Sequence, residues 1–116
     1  MALKTVRDVL VADGSVTALV GQRVSPVTRA QDTTLPCVVL TLVGLAPMNH
    51  LNGAPNLDAN RVQVDVFAET YTSARAVADA CRTSLETAGH KMESEYDNFE
   101  PDVSEHRITQ DFLVWT

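Results

Sequence analysis

The chain has 116 residues, 45% of them apolar, which suits one hydrophobic core better than two. We therefore expect a single domain over 1–116. Fifteen acidic residues against nine basic ones give a net charge of −6, which argues against a surface that neutralises nucleic-acid phosphates and favours protein partners or a conduit DNA does not adhere to.

The first predicted element is a helix, with Leu3, Val6, Val9 and Leu10 on one side. Gly14 is expected to give it a left-handed stop, with Asp13 or Ser15 capping the next element. Lys4, Arg7 and Asp8 fall where a secretory signal needs an apolar core, so none is expected. Val16, Leu19 and Val20 predict a second short helix closed by Gly21. RVSPV, 23–27, reads as a short edge strand because Pro26 has no N–H for a central ladder. TRAQDTT reads as loop.

CVVLTLVGL, 37–45, is apolar on both alternating sets: Val38, Leu40 and Leu42 on one, Val39, Val43 and Leu45 on the other. That predicts a strand covered on both faces, by helices on one and by a second subunit or another segment on the other. The uncharged run 33–57 is not read as a bilayer span, because its apolar part, 35–48, is too short and holds Pro36 and Pro47. PMNHLNGAPNLDAN, 47–60, reads as a loop, far longer than the about two to five residues usual in hairpins. Such a loop is either a tolerated insertion or a binding element. Met48, Asn49, His50, Leu51, Asn52, Asn56 and Asp58 are therefore candidate interface residues.

RVQVDVF puts Val62, Val64 and Val66 on a buried face and Arg61, Gln63 and Asp65 on the other. From Tyr71 the period changes to that of a helix, with Ala74, Val77, Ala78, Cys81 and Leu85 as its core stripe. Thr70 or Thr72 can cap it and Gly89 end it. KMESEYDNFEPD, 91–102, alternates weakly, Met92, Ser94, Tyr96 and Asn98 against Glu93, Glu95 and Asp97. EHRITQDFLVW, 105–115, predicts a closing strand with Ile108, Phe112 and Val114 inward. Leu113 and Trp115 share the opposite face, where a partner could cover them. The order implies an α+β fold: a mainly antiparallel sheet of four to five strands with helices packed on one face.

The side chains carry little chemistry. His50, His90 and His106 match no zinc spacing, and Cys37 and Cys81 read as buried thiols, with a disulfide between them left open. Six carboxylates crowd 93–105, but a calcium loop begun at Asp97 would put Asp102 where glycine is needed and Ile108 where glutamate is needed. A charged, solvated edge that discourages aggregation is the plainer reading. Glu93, Glu95, Asp97, Glu100 and Asp102 nonetheless join Leu113 and Trp115 as candidate interface residues. No phosphate loop or nucleophile elbow occurs, so neither an enzyme nor a cofactor or metal site is expected.

Taken in order, the LxxVRDVLxAD helix, ALVGQRVSP, LPCVVL, the Asn/Pro-rich loop, RVQVDVFAETYTSARAVADACRTSL and YDNFEPD…EHRITQDFLVW resemble the tail-completion proteins of long-tailed bacteriophages and prophages, similar in fold to lambda-type tail terminators. The resemblance implies a structural virion protein at the head–tail junction, assembled in the host cytoplasm. It would form a homo-oligomeric ring, typically a hexamer, on the head-proximal end of the tail tube. Its partners would be its own copies, the tail tube protein and a head-side connector, with DNA passing through unbound and no membrane involved. A head-completion or neck connector protein and a small cytoplasmic protein-binding module are the alternatives.

Overall fold

The computed structural model describes residues 2–26, 35–47, 58–100 and 105–115. Helix α1 (Ala2–Ala12) runs into the short α2 (Gly14–Val20), then strand β1 (Val24–Pro26). Strands β2 (Cys37–Pro47) and β3 (Asp58–Ala68) precede helix α3 (Tyr71–Thr87), and β4 (Lys91–Glu100) and β5 (Glu105–Trp115) close the chain. The strands form one five-stranded sheet in the order β1-β2-β3-β5-β4. Among the described strands only the β1–β2 pair is parallel, so the fold is α+β with a mostly antiparallel sheet and its helices on one side.

Period-two valines decide which face the helices cover. Val38, Leu40, Val62, Val64, Val66, Ile108, Phe112 and Val114 are all fully buried. Against them pack Val6 and Leu10 of α1, Val16 and Val20 of α2, and the Ala74, Val77, Ala78, Cys81 and Leu85 stripe of α3. Small alanines let α3 lie close to the sheet. Burying a Val- or Leu-sized side chain contributes about 1.5–3 kcal/mol each, and this shared core holds all three helices to the sheet. Cys81 lies within it, where burial pushes its thiol up to about 12. Cys37 pairs with Phe67 on the opposite face, and the two cysteines are not joined in a disulfide.

The helix ends are set by local hydrogen bonds. Asp13 caps α2, its carboxylate accepting from Ser15 N at 2.8 Å, and that bond lowers its pKa. Gly14 is the first residue of α2 and not a left-handed stop: the positive-φ glycines are Gly21 at 60° and Gly89 at 96°. The cap does the work at this joint because α2 restarts with almost no loop. Thr70 caps α3 by accepting from Ser73 N at 3.1 Å. Beyond its far end, Gly89 turns the chain so that His90 N donates back to Leu85 O at 3.0 Å.

Three further expectations change. β2 and β3 run to Pro47 and from Asp58, so the connection is 48–57 rather than 47–60; the ladder continues because Ala46 and Ala59 pair, as do Pro47 and Asp58. β2 is not covered along its whole length: Leu42 and Val43 are 45% and 52% exposed. A bulge between Leu42 and Gly44 leaves Val43 out of the ladder. Asp65, placed on the face opposite the buried valines, is itself buried.

Candidate functional site

The face of the sheet away from the helices is built in rows across β2, β3, β5 and β4. Register places Cys37, Phe67, Arg107 and Asn98 in one row, Val39, Asp65, Thr109 and Tyr96 in the next, then Thr41, Gln63, Asp111 and Ser94. The central row is the most buried, with Val39 at 6%, Asp65 at 4% and Thr109 at 1% exposure. A carboxylate at that depth needs donors. Asp65 accepts from Thr109 Oγ1 at 2.6 Å, from Arg107 Nε at 3.1 Å and from Gln63 Nε2 at 2.8 Å. Arg107 also lies 5.6 Å from the Phe67 ring centroid. The next row carries Arg61, Leu113 and Lys91, and Leu113 is half-buried.

The acids of β4 do not share one face. A bulge between Met92 and Ser94 shifts the alternation. Glu93, at the bulge, meets Arg61 Nη2 at 3.2 Å, while Glu95 and Asp97 lie on the helix side. There Arg75 of α3 contacts Glu95 at 2.8 Å and Asp97 at 3.9 Å, and Tyr71 Oη donates to Asp97 at 3.1 Å. Gln110, fully buried, donates to both Ala78 O and Glu95. The Arg75 hydrogen bond holds the Glu95 carboxyl below its ordinary value, and the same bond raises Arg75. His106 packs tilted against Phe99, ring centroids 4.8 Å apart, and edge-on to Tyr71 at 6.1 Å.

The candidate interface residues therefore separate. Glu93, Glu95 and Asp97 are gathered on one edge strand, each with an arginine partner inside the chain. Leu113 of β5 lies on the open face, with β3 between it and β2. Asp58, Glu100 and Trp115 take their places in the ladder opposite Pro47, Glu105 and Ala59. Met48, Asn49, His50, Leu51, Asn52, Asn56 and Asp102 lie outside the described residues. Sequence reasoning missed the Asp65–Arg107–Thr109 cluster. Its only trace was an Asp and a Thr on two strands whose register cannot be read from sequence.

Among the described residues, no three His, Cys, Asp or Glu side chains are grouped to hold a metal ion, and no helix is long and apolar enough to cross a membrane. A family model, Tail completion protein gp17, matches residues 4–116. The chain belongs to the tail completion protein gp17 family. It is thus a structural protein of a phage-type tail. Comparison with curated proteins gives no significant match. Among solved structures, this tail completion protein is similar to a chain in the virion of a native gene transfer agent particle. The two share 22% identity and a TM-score of 0.75, over 95% of this chain and 90% of the other. At that identity the likeness is one of fold.

Proposed function

We propose that this tail completion protein forms a closed ring on the head-proximal end of the tail tube, where it stops tube growth and offers a joining surface to the head-side connector. The family match along nearly the whole chain carries this reading. The fold is consistent with it: apolar side chains at Leu42, Val43, Tyr96 and Phe99 are about half exposed and suit burial against neighbouring copies or tail proteins. A ring uses two different patches on each protomer, and rotation closes the set. The connection at 48–57, the acidic strand with its continuation through Glu100 and Asp102, and the Leu113/Trp115 face are the surfaces we assign to these contacts.

Net charge supports a passive bore. Each copy carries −6, and a lumen lined by part of that charge repels DNA phosphates, so the genome slides through without binding. Electron microscopy of tails made with and without the protein tests the proposal. Overlong tails in its absence are expected. Tails of normal length that fail to gain heads would replace termination with joining alone.

A further inference from the structure

The sheet has two edges, and they are finished differently. At β1, Arg7 Nε donates to the Val24 carbonyl at 3.1 Å, the Val24 N–H is turned back to Gln22 O at 2.8 Å, and Pro26 has no N–H to offer. The Arg23 carbonyl is used by Val38 N at 2.9 Å. This edge is closed to another strand. β4, at the other edge, spans ten residues and among the described residues pairs only with β5. From Lys91 to Phe99 its side chains are exposed except for half-buried Met92 and Glu95. In an antiparallel pair every second residue turns its N–H and C=O away from the partner, so β4 presents a row of backbone groups outward. One of its amides, Phe99 N, is met by the exposed Asn98 Oδ1 at 2.9 Å, a local contact that an incoming strand can replace.

We propose that the outer edge of β4 binds an extended, basic segment of a partner protein as a sixth strand of the sheet. Charge selects the occupant. β4 carries Lys91 against Glu93, Glu95, Asp97 and Glu100. Arg61 and Arg75 meet Glu93 and Glu95 closely, whereas Asp97 is 50% exposed with Arg75 no nearer than 3.9 Å. Beside Asp97 stand Tyr96 and Phe99, 53% and 47% exposed and on opposite faces of the sheet. A Lys or Arg on the incoming strand can pair with Asp97 and lay its stem along the Phe99 ring, which shares the face of Asp97. A second copy's β4 brings the same negative charges and is repelled, so the strand discourages self-pairing while admitting a basic partner. The inference rests on the tail reading only for where such a partner is met.

The test uses the full chain and three synthetic peptides of about ten residues: alternating Lys and Val, alternating Glu and Val, and the Lys–Val peptide with a central Pro. Binding is titrated by residue-resolved amide exchange. The Lys–Val peptide is expected to slow exchange along β4 only, to bind more weakly as salt rises, and to lose about tenfold in affinity to the Asp97→Lys variant. Unchanged exchange at Val64 shows that this variant is folded. The Glu–Val and Pro-containing peptides are expected not to bind. No binding by the Lys–Val peptide, protection outside β4, or equal binding of the Glu–Val peptide would each overturn the proposal. No tail enters the experiment, so its failure leaves tube capping untouched, and a failure of capping leaves this edge untouched.

Discussion

The two halves of β2 share one apolar run and have opposite fates. Val38 and Leu40 are fully buried under the helices, while Leu42 and Val43, two and three residues on, are about half exposed. The difference lies in what reaches them. α1 covers the first half, and past the bulge at Val43 the β2–β3 ladder continues to Pro47 and Asp58. An apolar residue in the first half serves folding. In the second half it is free to serve assembly.

Mutation at matched positions breaks or sharpens this contrast. Leu40→Ala, or Phe112→Ala in the same core, is expected to cost about 3–5 kcal/mol in urea unfolding, because a cavity opens among fully buried neighbours. A cost below about 1 kcal/mol at Leu40 would contradict the packing described. Next in size, Asp65→Ala is expected to cost about 2–4 kcal/mol, since Arg107 and Thr109 lose a buried acceptor.

How much of the fold is legible in the sequence depends on which forces are local. The α3 stripe from Ala74 to Leu85 and the alternating valines of β3 are periodic patterns, and burial matches them. Thr70, Asp13 and Gly21 act within a few residues of themselves, so their roles are legible too. Gly14 misleads because nothing local separates a stop from the start of a new helix. The burial of Asp65 depends on register with Thr109, more than forty residues away. The division of the β4 acids depends on a bulge at Glu93 that no residue type announces. For the interface residues, only those in strands could be placed against neighbours. A partner surface is defined by two chains, and one sequence holds half of it.

Smaller effects probe the rim. Arg75 lowers the Glu95 carboxyl, so that pair contributes stability above the ordinary glutamate value of about 4.5, lost as pH falls through the depressed one. Glu95→Gln is expected to cost about 1 kcal/mol at neutral pH and to flatten the loss of stability on acidification, read from urea midpoints between about pH 7 and 3. An unchanged slope would show that other carboxylates dominate. Least of all, Leu42→Ser with Val43→Ser is expected to change unfolding by no more than about 0.5 kcal/mol each while reducing incorporation into tails. Loss of folding from this pair would assign the bare half of β2 to the core after all.

Most direct is a count of copies of this protein per purified tail, by quantitative mass spectrometry across tails of different lengths. A terminal ring predicts a small fixed number, independent of tail length and located at one end. A number that rises in proportion to tail length, or no copies at all, would contradict it.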